Sequence, residues 1–337
     1  YTHNWPYDED AGNRPSPPVL LWSILGVLGL ALGIGGVLFA HGKLEASKAA
    51  DTSPRNASVL TVEKLKGFVA TPGQRAAYKF FAAAASLFGL QVLAGVLTVH
   101  DFIGFTHFFG VDLAEVFPIT VTRSWHLQWA ILWIVACWIG ASIFVLPMVS
   151  GHEPAGQGRW TNGLFGLFVF LTVGSAVGIY MGPKGHLDGL WHLLGNQGWE
   201  YVELGKLWQV LLFGALALWC FIVFRGIRPG LRRFDPSSLP TWLSYTILTV
   251  LVLFLAGFVA TPETNFVIAD FWRWMVVHMW VEAFLEVFTT AIVACFMVLM
   301  GLTSVHTATR VVFIGSVLFL GSGIIGISHN FYWIAKP

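Results

Sequence analysis

The sequence predicts an all-α, polytopic transmembrane bundle of about eight helices, on three observations: its composition, the length of its apolar runs and the alternation of charge between its loops. Of 337 residues, 56% are hydrophobic and only 11% are charged, against roughly 25% charge in a soluble domain. A mean hydropathy of +0.70 places such a chain in a lipid bilayer. Crossing the hydrocarbon takes about 20 apolar residues, and eight runs of that order occur near 18–40, 77–99, 125–148, 162–181, 207–225, 240–261, 272–300 and 309–333. In lipid every backbone N–H and C=O needs an internal partner, so these runs are helices.

The loops support the count. The segment from His41 to Lys79 carries Lys43, Lys48, Arg55, Lys64, Lys66, Arg75 and Lys79 against three acids, and Arg225, Arg228, Arg232 and Arg233 follow the fifth run. Both read as cytoplasmic. Asp8, Glu9 and Asp10, then Asp101, Asp112 and Glu115, then Glu263 and Asp270 fall in the alternate loops and read as external. The predicted organisation is an extracytoplasmic segment at 1–17, the bundle at 18–333 and a truncated end at 334–337. The start at Tyr1 and the abrupt end give the expectation of an internal fragment.

Two function classes fall away at this point. A net charge of +1 argues against an electrostatic nucleic-acid binder. Cys137, Cys220 and Cys295 each sit in an apolar run without CxxC spacing, which suggests small core residues, neither a disulfide framework nor a zinc site.

The seventh run contains the chemistry. It reads Trp274-Met-Val-Val-His278-Met-Trp-Val-Glu282-Ala-Phe-Leu-Glu286, which puts His278, Glu282 and Glu286 at successive i, i+4 positions on one helix face. Each ionisable group at the centre of a membrane helix costs at least about 2.5–3.5 kcal/mol, so three on one face call for a metal, a proton path or water. A structural polar patch is the plainer alternative.

The eighth run ends Gly326-Ile-Ser-His329-Asn330-Phe-Tyr-Trp333, with an imidazole beside an amide that can offer one oxygen. Alone, His329 could be a core histidine bonded to a carbonyl. With His278 and Glu282 it makes two imidazoles and a carboxylate, a donor set suited to iron. At the start of the third run, Thr122-Arg123-Ser-Trp-His126-Leu-Gln128 offers a histidine that could bind a heme iron and an arginine that could meet the propionates. An interfacial histidine with a snorkelling arginine explains those residues equally well.

From Asn4-Trp5-Pro6 through His126 to His278-Met-Trp-Val-Glu282 and His329, the chain resembles the quinol-dependent nitric oxide reductase branch of the heme–copper oxidase superfamily. The resemblance implies a subunit I-like bundle in a bacterial cytoplasmic membrane, with the N-terminus extracytoplasmic. Oxygen-reducing relatives place a tyrosine four residues after the corresponding histidine, where this chain has Glu282. By this resemblance His126 is an axial ligand of a low-spin heme b and Arg123 meets its propionates. His278 and His329 bind a non-heme iron that Glu282 completes or tunes, and Glu286 holds a proton or bonds the iron ligands. Glu203 would belong to a structural site near the propionates, where a calcium is implied. Two hemes are expected in the complete protein, the remaining heme ligands lying on a later helix, and a homodimer is compatible with the family.

Two positions depart from that pattern. Reductases of this branch have adjacent histidines where this chain has His329-Asn330, and an amide oxygen is a harder, weaker donor than imidazole. Their outer quinol pocket has a histidine, a glutamate four residues on and a phenylalanine four further, against His100, Gly104 and Phe108 here. Quinol oxidation must release two protons, and the most obvious acceptor is missing. His100 could be merely interfacial. Together the departures resemble the nitric oxide dismutases, which implies the reaction 2 NO to N2 and O2. The alternative expectation is a quinol-dependent reductase forming N2O. A transporter with a polar core stripe would show inverted repeats and broken helices, and neither is visible.

Overall fold

The computed structural model describes residues 67–103, 110, 113–195, 204–231, 238–259, 261, 263–265, 267–269, 272 and 286–334, with seven further positions between Leu21 and Phe39. Side chains at 100–103, 114, 230, 239, 256, 320 and 323–334 are outside that description. The chain divides into two units, 1–57 and 58–337. In the first, helical backbone is seen at Leu21, Leu25, Leu28, Leu32 and Phe39, a stripe within the run predicted at 18–40.

The second unit holds helices α1 (Pro72–Ile103), α2 (Leu113–Val116), α3 (Ile119–Ser150), α4 (Gln157–Met181), α5 (Trp191–Leu194), α6 (Lys206–Leu231), α7 (Leu239–Phe254), α8 (Val287–Leu299) and α9 (Val305–Ile334), with no strand among the described residues. Four of them, α1, α3, α4 and α6, are long and apolar enough to cross a membrane, and apolar stretches of 10–17 residues lie in α7, α8 and α9. The predicted all-α bundle is what the chain forms.

Local sequence explains where the helices start. Thr71-Pro72-Gly73-Gln74 forms a reciprocal cap: the Gln74 N–H donates to Thr71 Oγ1 at 3.2 Å and the Thr71 N–H to Gln74 Oε1 at 3.0 Å, with proline at the first helical position, where its missing donor costs nothing. Ser238 caps α7 by accepting from the Thr241 N–H at 3.4 Å, and Ser304 caps α9 by accepting from the Thr307 N–H at 3.1 Å. The helix α3 ends on Gly151, whose φ of +67° turns the chain after its N–H bonds the Pro147 carbonyl.

The end of α7 differs from expectation. The sequence predicts a single span over 240–261, but the α-helix stops at Phe254 and tightens into a 3₁₀ turn over Leu255–Phe258. Gly257 removes side-chain packing just where the terminal carbonyls must find donors, and closer i−3 bonds satisfy them.

Packing is built around α6, which contacts α3, α4, α5 and α7, while α1 lies along α3 in the most extensive contact and α8 packs on α9, α7 and α3. Trp219, Phe80, Phe254 and Phe288 are fully buried. At the junction of α3, α6 and α8 the Trp219 indole donates to Ser142 Oγ at 2.9 Å, and its ring meets Phe288 edge-on at 5.5 Å. Cys220 and Cys295 are buried free thiols and Cys137 a half-buried one, as expected of small core residues. Val96, Phe170, Val173 and Val177 face outward; an apolar exterior around an apolar core is the pattern of a helix bundle solvated by lipid.

Candidate functional site

His126 is held at the seam between α1 and α3 by neighbours on both helices. Its Nδ1 lies 2.9 Å from the backbone carbonyl of Gln91. A carbonyl oxygen only accepts, so Nδ1 is the donor, the tautomer that in a neutral imidazole leaves the Nε2 lone pair available. The side chain of Gln91 is engaged in turn: its Oε1 accepts from the Trp133 indole N–H at 2.9 Å. One turn further along α1, Gly95 leaves the room the ring occupies, since a Cβ there would stand 2.9 Å from His126 Nδ1. The ring is half-buried.

This arrangement fits an axial heme ligand. Ligating imidazoles characteristically donate their second nitrogen to a carbonyl or carboxylate, which fixes the tautomer and the ring plane. Arg123, on the first turn of α3, is exposed and precedes His126 by three residues, so the two project from the same side of the helix. Beside them, Trp125 stacks on Trp129 at 5.3 Å and on Tyr180 at 6.0 Å, and its indole donates to the Ala176 carbonyl of α4 at 2.9 Å. These rings wall an apolar groove of about 430 Å³ between α1, α3 and α4.

Gln91, Gly95 and Trp133 are not singled out by the sequence alone. A signal exists in part: Gln91 and Gly95 are i, i+4 on an apolar helix, and a buried amide in such a run needs a partner.

The other predicted residues fall differently. Glu286 is half-buried, on π-helical backbone immediately before α8, and its carbonyl accepts from Thr290 Oγ1 at 2.7 Å. Its i−4 and i−8 neighbours, Glu282 and His278, lie outside the described residues, as do Gly104, Phe108 and Glu203. His329 and Asn330 are on the helical backbone of α9 and His100 on that of α1, with side chains outside the description. Among the described residues no three His, Cys, Asp or Glu side chains form a metal-binding group.

Residues 75–337 match the family model described as Cytochrome C and Quinol oxidase polypeptide I. A nitric oxide reductase subunit of Stutzerimonas stutzeri is similar to this chain, 27% identical over 271 residues that cover 78% of the chain and 54% of the reductase polypeptide. The chain thus spans about half the length of this curated relative. A lipid-solvated bundle with a tautomer-fixed histidine on its third predicted span, matched over all but its first 74 residues, leads to one assignment: the chain belongs to the cytochrome c and quinol oxidase polypeptide I family.

Proposed function

We propose that this chain is part of a membrane oxidoreductase that acts on nitric oxide through heme b and a non-heme iron, and that its reaction is the dismutation of 2 NO to N2 and O2. Family membership and the similarity to a nitric oxide reductase polypeptide support the enzyme class. The observation that carries the dismutase reading is Asn330, directly after His329, where a second imidazole would be needed for the reductase iron site. Gly104, four residues after His100, points the same way, because dismutation balances without external electrons and a quinol site lacking its proton acceptor is then no handicap.

The groups, when bound, supply redox-active iron and Lewis acidity. The protein supplies the rest. His126 presents Nε2 with its plane fixed by the Gln91 carbonyl. His278, His329 and Glu282 would hold the non-heme iron, with Asn330 as a weak oxygen donor, and Glu286 would bond or protonate that set from immediately before α8.

The test is anaerobic gas analysis of the full-length membrane protein given 15N-labelled NO, following N2, O2 and N2O with and without quinol. Equal N2 and O2 without quinol is expected; quinol-dependent N2O without O2 would overturn dismutation. That second reading, a quinol-dependent reductase, is favoured by the retained His100 and Phe108 and by the relative's function. A calcium near Glu203 and a homodimer remain expectations of the family resemblance.

A further inference from the structure

The cleft between the start of α1 and the start of α4, about 690 Å³ in volume, contains Arg75, Lys79 and Arg159. All three side chains are exposed, and none is ion-paired with another described residue. Lys79 Nζ donates to Asn162 Oδ1 at 2.9 Å, which leaves it two further protons to donate. The one carboxylate among the described lining residues, Glu153, is already engaged. It accepts from the hydroxyl of Thr71 and from the Gly73 N–H at 3.0 and 3.1 Å, so it neutralises the amino-terminal end of α1 instead of serving as counter-ion to the cations. Three cations thus surround a cleft whose described acid, Glu153, is committed elsewhere.

The second helix end has main-chain partners only, the Gln157 N–H donating to the Pro154 carbonyl at 3.1 Å. The 25-residue helix α4 begins after Gly156, at φ +76°, and no side chain caps it, so its partial positive charge adds to that of Arg75, Lys79 and Arg159. Exposed apolar and aromatic residues adjoin the lining residues in sequence. Tyr78, next to Lys79, and Trp160, next to Arg159, are 71% and 46% exposed, and Val69, just before α1, is 80% exposed. Tyrosine and tryptophan beside cations at the end of a membrane helix mark the level of the lipid headgroups. A cleft at that level opens onto the phosphates of the lipid leaflet, which favours a lipid headgroup over a soluble anion.

We infer that this cleft binds the phosphate headgroup of an anionic phospholipid in the leaflet on the basic side of the bundle. Basic pockets between membrane helices on that side recognise such headgroups, and each cation near the surface contributes enough to change binding several-fold. The assignment stands apart from the heme and iron residues, because none of them lines the cleft.

Native mass spectrometry of the full-length protein, titrated with phosphatidylglycerol or phosphatidylcholine in detergent, tests it. Wild-type protein should retain phosphatidylglycerol in preference to phosphatidylcholine. Arg75→Gln and Arg159→Gln should each weaken phosphatidylglycerol retention roughly fivefold and leave phosphatidylcholine unchanged, while Arg159→Lys, which keeps the charge and guards against misfolding, should retain it. Equal retention of the two lipids, or neutral variants that hold phosphatidylglycerol as wild type does, would overturn the proposal. Complete displacement of phosphatidylglycerol by millimolar inorganic phosphate would assign the cleft to a soluble phosphate compound instead and would equally overturn it.

Discussion

His126 donates its Nδ1 proton to the backbone carbonyl of Gln91, 2.9 Å away across the seam between α1 and α3. Because the acceptor is main chain, no side-chain substitution at position 91 deletes it, and the ring can be disturbed only through its neighbours or the helix itself. Gly95 is the most direct route. An added methyl would meet the ring at 2.9–3.0 Å and push it off its acceptor. Gly95→Ala should therefore lower retention of the low-spin heme by about tenfold, the scale of losing an orienting partner, and His126→Ala should abolish it. Optical spectra of the purified reduced protein read both.

At the proposed iron site, Asn330→His would supply the adjacent histidines expected of the reductases. The expected outcome is loss of O2 from labelled NO and appearance of N2O once an electron donor is supplied, measured by mass spectrometry of the headspace. Unchanged O2 release in that variant would remove position 330 from the explanation of product choice.

Trp219 ties α6 to α3 through Ser142 and packs on Phe288 of α8. Trp219→Phe keeps the ring stack and loses the indole donor, which should cost about 0.6–1 kcal/mol, the scale of a membrane interhelical hydrogen bond. Trp219→Ala opens a cavity among three helices and should cost about 3 kcal/mol. Thermal unfolding of the detergent-solubilised protein separates the two.

Gly178 and Gly174 lie one turn apart on α4 and should respond unequally. At Gly178 a Cβ would stand 1.8 Å from the Leu194 backbone carbonyl, the same oxygen that accepts from the Trp208 indole, whereas at Gly174 the neighbour is the Trp208 ring at 2.2 Å. Backbone cannot turn aside as a side chain can. Gly178→Ala should destabilise by about 3 kcal/mol, at the upper end of overpacking costs, and Gly174→Ala by about 1–2 kcal/mol, again by thermal unfolding.

What the sequence discloses follows from the range of the forces involved. The helices α1, α3, α4 and α6 are legible because hydrocarbon thickness imposes a minimum apolar run whatever the helices pack against. Their ends are less so. The predicted span at 125–148 starts two turns late because Ile119 to Ser124 extends the helix past the apolar run behind Pro118, and the early stop of α7 reflects how its last carbonyls are satisfied. His126 is visible as a candidate, but the bond that orients its ring, to Gln91, spans 35 residues and involves a backbone atom that no pattern of side chains encodes. For the stripe at His278, Glu282 and Glu286 the spacing is legible and only its last member lies among the described residues.

The cap that Glu153 places on α1 has a consequence for how the protein is made. Its partners, Thr71 and Gly73, precede it by some 80 residues, a separation that includes all of α1 and α3. During synthesis α1 emerges and enters the bilayer with its first turn held only by Thr71 and Gln74, and the carboxylate reaches it after α3 has crossed in the opposite direction. The contact therefore closes a loop around a finished pair of antiparallel helices, acting as a latch on their insertion rather than as a nucleus for it.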